Sequence, residues 1–220
     1  MGMTVPTDQN YWAKLFAAAG SYWLHDGNPK RPHALLTSGN HSNGFFNASK
    51  VIRDPNLLAE AIEALALKLV LETRVTVIDE VHGSALGAIP IALELARRWE
   101  MGFGFTEPVV EDGRKRMRLK RFEIAPGTNV LVVEDVITTG GTTLETIAGI
   151  ESAGGVVSPT VGVLVNRSGL THLDGRRIVA LVDQPMPMWT PEECTASELC
   201  SKGSEALRPK QSWAELTANY

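Results

Sequence analysis

A chain of 220 residues, 44% of them hydrophobic, is long enough to bury a sizeable core in one α/β domain. A formal charge of −4 at pH 7 argues against a nucleic-acid-binding surface, and no apolar run approaches the length of a membrane span. No secretory pattern opens the chain, since Asp8 precedes and Lys14 interrupts Tyr11 to Gly20, and Pro6 stands where a myristoylation motif needs Ser or Thr, so a cytosolic protein is expected.

In chain order, Tyr11 to Leu24 has apolar and small residues at helical spacing, with Asp8 or Asn10 as the cap. Ala34 to Lys50 mixes Gly, Ser and Asn with apolar residues, which predicts short strands and tight turns. An amphipathic helix is predicted over Leu57 to Leu71, after an Asp54-Pro55 start signal. Val75 to Ile78 reads as a strand, Asp79 to Ser84 as its exit, and Ala85 to Trp99 as a helix with Arg97-Arg98 in its last turn. Thr106 to Asn129 is a long polar connection carrying Arg114, Lys115, Arg116, Arg118, Lys120 and Arg121; a basic loop of that length is either disordered or functional, and a solvated charged hairpin is the plain alternative. Val130 to Val133, Val161 to Val165 and Ile178 to Val182 read as strands, with a helix over Leu144 to Ser152. Strands alternating with helices imply a parallel sheet with right-handed crossovers. From Pro185 an irregular tail is expected, with a short helix at Trp213 to Thr217.

The stretch from Val130 to Thr143 carries the most information. An apolar strand ends in the adjacent carboxylates Glu134 and Asp135, a Thr/Gly loop follows, and a helix begins. Open α/β sheets bind ligands at the carboxyl ends of their strands, and a helix N-terminus offers N–H groups to an anion such as phosphate. Two acids beside a phosphate cradle suit a ligand with both a phosphate and sugar hydroxyls. No lysine follows the glycines, so this is not a P-loop. An ordinary strand-to-helix turn with a capping threonine would look similar, although paired acids at a strand end are costly unless used.

This segment resembles the phosphoribosyl-diphosphate signature of type I phosphoribosyltransferases. The resemblance implies an α/β fold with a central parallel sheet flanked by helices, a core over about residues 51–184, and a small hood from about 1–50 and 185–220. It makes Glu134 and Asp135 the catalytic acids. With Val136, Ile137, Thr138, Thr139, Gly140, Gly141, Thr142 and Ser84 they would bind phosphoribosyl diphosphate, with Thr138 to Thr142 as the 5-phosphate loop. Gly83 to Pro90 resembles the diphosphate loop, without the lysine that orotate members often carry near Gly87, and a tight strand-to-helix turn is the plain reading. His82 reads as a satisfied polar residue rather than a catalytic one.

Thr37 to Asn47 resembles the N-terminal segment of orotate phosphoribosyltransferases, in which an aromatic pair, here Phe45 and Phe46, stacks near the pyrimidine. Thr37 replaces the lysine that commonly precedes the Ser-Gly turn, and a hairpin with core phenylalanines fits the same residues. Arg167 falls where that family contacts the polar edge of the base, and Thr138 joins it as a base-binding residue; a surface arginine in a turn is the other reading. The Arg114 to Arg121 segment resembles the mobile catalytic loop by position only, with Lys115, Arg118 and Lys120 as its candidate residues. The tail also resembles orotate-type enzymes through Pro191 to Cys194, Leu199-Cys200 and Arg208 to Lys210.

The family implies Mg²⁺ held mainly through substrate, with no direct protein ligand, and a homodimer acting on phosphoribosyl diphosphate and orotate. A phosphoribosyltransferase for a purine or other base would share the signature and differ at Phe45, Phe46 and Arg167. A non-catalytic regulator is a third reading, opposed by the acidic chain and by the lack of a segment for a DNA-binding module. Cys194 and Cys200 are too far apart for a C-x-x-C motif and read as free thiols; a metal site would need ligands from another chain or from distant histidines.

Overall fold

The computed structural model describes residues 5–73 and 77–219. Helix α1 (Gln9–Ala18) is capped by the Asp8 carboxylate, which accepts from Asn10 N–H. It ends sooner than its spacing suggests, because Gly20 turns the chain at φ 67°. Residues 22–24 then form strand β1 (Tyr22–Leu24) rather than more helix. Strands β2 (His33–Leu35), β3 (His41–Ser42) and β4 (Gly44–Phe46) follow, as the Gly/Ser/Asn pattern predicts. After α2 (Ala48–Ile52) comes α3 (Pro55–Glu72), capped by Asp54 with proline in its first turn.

The first core strand departs from expectation. Val75 lies outside the described residues, Val77 and Ile78 are not in a strand, and β5 is instead Glu80–Ser84. Its polar sequence hides a central strand. Glu80 and His82 share one face, and His82 Nε2 bonds the Glu80 carboxylate at 2.6 Å. On the neighbouring strand Gly104 leaves room for the ring, since a Cβ there would lie 2.5 Å from His82 Cε1. A buried histidine therefore fits mid-sheet through Nε2, while its Nδ1 has no hydrogen-bond partner among the described residues. Helix α4 (Ile89–Trp99) starts four residues later than read, because 85–88 form a turn.

The long polar connection is ordered. Strands β6 (Gly102–Glu111) and β7 (Arg114–Arg118) make an antiparallel hairpin. Its two-residue turn, Asp112-Gly113, has φ of 50° and 72°, the positive values that let a hairpin follow the twist of its strands. Arg116, Arg118 and Arg121 pair with Glu145, Glu111 and Glu107.

Strand β8 (Asn129–Ile137) leads into α5 (Gly141–Ser152), then β9 (Val156–Asn166), β10 (His172–Leu173) and β11 (Arg176–Asp183). The tail is more regular than expected: β12 (Met188–Trp189), α6 (Pro191–Ser197), a 3₁₀ turn (Cys200–Lys202), β13 (Ala206–Leu207) and α7 (Trp213–Leu216).

Among the described residues the main sheet has seven strands in the order β10-β11-β9-β8-β5-β6-β7. Its five inner strands are parallel, and β10 and β7 pair antiparallel at the edges. Helices cover both faces, which explains the unbroken apolar run in β8. Leu131 and Val133 face the core containing α1, α3 and α4, and Val130 and Val132 face the one under α5. A second sheet, β12-β3-β2-β13, joins residues near both ends of the chain over the carboxyl side of the first. Among the described residues no helix is long and apolar enough to cross a membrane.

Candidate active site

The two carboxylates at the end of β8 occupy different surroundings. Glu134 is buried, and Ser84 Oγ donates to it at 2.7–2.8 Å from the adjoining end of β5. Thr143 Oγ1 approaches it at 3.4 Å from α5. Burial first, and then the neighbouring Asp135 carboxylate, push the Glu134 carboxyl above the usual range. Asp135 is half-exposed and borders a cavity of about 390 Å³, whereas Glu134 does not border it. The Asp135 carboxylate lies over Gly87, where a Cβ would come within 2.2 Å of Oδ2.

The Thr/Gly loop leads into α5 as its sequence suggests. Gly140, at φ 81°, is the N-cap and no side chain caps the helix, so first-turn N–H groups lack an intrahelical partner. Gly141 and Thr142 are exposed at this end, and Gly141 has open space where a side chain would point, with only Thr139 Oγ1 at 3.8 Å. Thr138 and Thr139 border the cavity with Val136, while Ile137 is buried in the core under α5.

Arg167 follows β9 and reaches the same cavity. Only 2% of it is exposed, yet no carboxylate lies within ion-pair distance among the described residues. One Nη2–H donates to Ser42 Oγ at 2.7 Å, Ser42 Oγ donates onward to the Pro187 carbonyl, and the buried Nε has no partner among the described residues. Burial lowers the guanidinium pKa to about 10. It is thus a desolvated, charged group oriented by its own hydroxyl support.

Phe45 and Phe46 both border the cavity, but successive strand residues point to opposite faces. Phe46 packs on Phe16 in the main core, with ring centroids 5.4 Å apart, and Phe45 meets Trp213 edge-on. Lys115 and Lys120 are exposed and Arg118 is held by Glu111; none of the three borders the cavity. Sequence reading missed Ser42, which orients Arg167, and Gly87, which makes room for Asp135. It also gave no place in the site to Arg208 and Lys210, which close the cavity from the tail. A Ser two residues before a Gly carries no distinctive signal, and Gly87 looks like any turn glycine.

An acid at a strand end, an uncapped helix N-terminus and a buried cation around one cavity, on a parallel sheet with a small second sheet above, define a type I phosphoribosyltransferase fold. No family profile matches the chain. It is 38% identical over 177 residues to an orotate phosphoribosyltransferase of Desulforamulus reducens, covering 80% of this chain and 87% of that one. It is 37% identical over 190 residues to the Campylobacter jejuni subsp. doylei enzyme of the same name, covering 80% and 90%. The crystal structure of orotate phosphoribosyltransferase from Aeropyrum pernix superposes with a TM-score of 0.60 at 27% identity, covering 78% of this chain and 92% of that one. The chain belongs to the orotate phosphoribosyltransferase family.

Proposed function

We propose that this protein transfers the phosphoribosyl group of 5-phosphoribosyl 1-diphosphate to orotate, releasing diphosphate and forming orotidine 5′-phosphate in pyrimidine biosynthesis. The names of its relatives support this reading. The observation that carries the choice of base is Arg167, a buried guanidinium facing a cavity with no counter-ion among the described residues. Burying an unpaired charge is expensive, and the carboxylate of orotate would supply the missing partner through a charge-assisted hydrogen bond.

In this reading the 5-phosphate rests on the first-turn N–H groups of α5 and the hydroxyls of Thr138, Thr139 and Thr142. Asp135 lies beside the ribose hydroxyls, where its charge stabilises the positive character that develops at the anomeric carbon. Diphosphate leaves with the electron pair of the C–O bond, and the pyrimidine nitrogen bonds to that carbon as its proton passes to the departing diphosphate. Glu134, bonded to Ser84 and lying behind the cavity wall, supports the strand end that carries Asp135. Phe45, Phe46 and Thr138 border the base, and the candidate diphosphate cations Lys115, Arg118 and Lys120 lie outside the cavity, so they would reach the departing diphosphate only through a movement of their segment.

Phosphoribosyltransferases are generally Mg²⁺-dependent. The oxygen donors here, one half-exposed carboxylate among hydroxyls, fit a hard cation held chiefly by substrate and water, close to Asp135. When bound, Mg²⁺ would neutralise diphosphate charge. The reading also takes the chain as one unit, core over about 51–184 and hood from both ends, acting as a cytoplasmic homodimer. A panel of orotate, uracil, adenine, hypoxanthine and guanine with phosphoribosyl diphosphate and Mg²⁺ tests it by diphosphate release. Turnover should be confined to orotate; good use of a purine with orotate ignored would overturn the choice of base.

A further inference from the structure

At the small sheet, four side chains from two remote stretches of chain converge. His33 lies on β2, His41 on β3, Cys194 on α6, and Cys200 opens the 3₁₀ turn. One ligand atom from each lies within 4.8 Å of all the others. Cys194 Sγ and Cys200 Sγ are each 3.6 Å from His33 Nε2, and Cys200 Sγ is 3.3 Å from His41 Nδ1. Around tetrahedral Zn²⁺, with bonds of about 2.3 Å to sulfur and about 2.0 Å to nitrogen, a sulfur–nitrogen edge is about 3.5 Å. The two ring nitrogens, 2.8 Å apart, would separate by about half an ångström to reach the tetrahedral edge.

The surroundings aim these atoms at one point. Ser204 Oγ donates its single proton to the Arg31 carbonyl at 2.6 Å. Its contact with His33 Nδ1, at 2.9 Å, must therefore be an N–H donated by the ring. That fixes the proton on Nδ1 and leaves the Nε2 lone pair directed into the cluster, the arrangement that outer hydrogen bonds impose on metal-binding histidines. The Cys200 backbone N–H donates to Cys194 Sγ at 3.3 Å, which holds that sulfur against the 3₁₀ turn. Both thiols are free of a disulfide, and three of the four residues are buried.

We propose that His33, His41, Cys194 and Cys200 form a tetrahedral structural site for Zn²⁺. Four protein ligands leave no open position for water or substrate, so the ion acts as a clip rather than a catalyst. Two thiolates and two imidazoles also set the site apart from any Mg²⁺ requirement of the reaction, since soft sulfur ligands select zinc over hard cations. The clip would fasten α6 and the 3₁₀ turn to the β2–β3 hairpin. The same sheet carries Leu35, Leu36 and Met188 to the cavity, and β13 leads into Arg208 and Lys210. Loading should therefore stabilise one wall of the active site.

The test uses the full chain, purified under reducing conditions and dialysed with excess Mg²⁺ present. After loading with Zn²⁺, elemental analysis should find one zinc per chain. Exchange for Co²⁺ should give the intense visible bands of tetrahedral cobalt and a thiolate-to-cobalt charge-transfer band. Cys200→Ser should weaken that band, and chelation should lower the melting temperature of the wild type but not of the variant. Wild-type protein that retains no zinc, or whose Co²⁺ spectrum lacks the thiolate band, overturns the proposal whether or not the variant folds. A Cys194–Cys200 disulfide in place of bound metal overturns it as well.

Discussion

The carboxylate of Asp135 occupies the space that a side chain on residue 87 would fill. A Cβ on Gly87 would stand 2.2 Å from Oδ2 and 2.6 Å from Cγ of Asp135. The turn after β5 thus fixes where the cavity-facing acid at the end of β8 can lie, although the two residues are far apart in sequence. Gly87→Ala should displace the carboxylate with little loss of stability, because residues 85–88 lie in a turn outside the buried strand. Turnover should drop by about 10²-fold, the scale set by losing one preorganised electrostatic group. Added to Asp135→Asn, it should cost little more, since both changes remove the same interaction. Full additivity in steady-state kinetics would show that Gly87 acts elsewhere.

Gly141 offers a cleaner probe of the phosphate cradle. The nearest atom to an added Cβ is 3.8 Å away, so Gly141→Val can be accommodated by the protein itself. Its bulk would stand over the helix N–H groups that an anion needs. Calorimetry should show weakened binding of phosphoribosyl diphosphate, with the melting temperature nearly unchanged. Unaltered affinity in the folded variant would remove this loop from the binding site.

For Glu134 the prediction concerns stability and pH. Burial and Asp135 raise its pKa in the folded state above the unfolded value of about 4.3. Between those two values the folded protein holds a proton that the unfolded chain has released, so stability falls as pH rises. The contribution is complete below the unfolded pKa and is lost as pH climbs through the raised one. Glu134→Gln, neutral at every pH, should match the wild type near pH 4 and become increasingly more stable than it towards alkaline pH. Denaturant titrations across that range measure the difference, and a gap that does not widen would contradict the assignment of burial as its cause.

Removing Arg167 should separate base binding from sugar-phosphate binding. Truncating one partner of a buried charge pair costs roughly 2–5 kcal/mol, so Arg167→Ala should lower kcat/KM for orotate by about 30-fold or more. Affinity for phosphoribosyl diphosphate should hardly change. Ser42→Ala, which removes the hydroxyl 2.7 Å from Nη2, should give a smaller loss in the same direction. Comparable losses of orotate and phosphoribosyl diphosphate binding in Arg167→Ala would mean that the arginine supports the site as a whole.

Local chemistry determined much of this protein from sequence alone. The apolar run of β8, the acids that follow and the Thr/Gly entry to α5 are contiguous, so their period and capping pattern are written in order. Asp54-Pro55 marked the start of α3 for the same reason, a cap and a preset φ acting within one turn. What the tertiary structure decided is what depends on partners remote in sequence. β5 was obscured because Glu80 bonds His82 Nε2 and Gly104, on another strand, makes room for the ring. The basic segment became a hairpin because β7 pairs with β6 and its arginines meet Glu107, Glu111 and Glu145. The difference between Glu134 and Asp135 rests on Ser84 and Gly87, and the seat of Arg167 on Ser42. Cys194 and Cys200 met His33 and His41 only when β12 and β13 closed the small sheet, because the chain sets spacing along itself while only packing brings such distant ligands to one point.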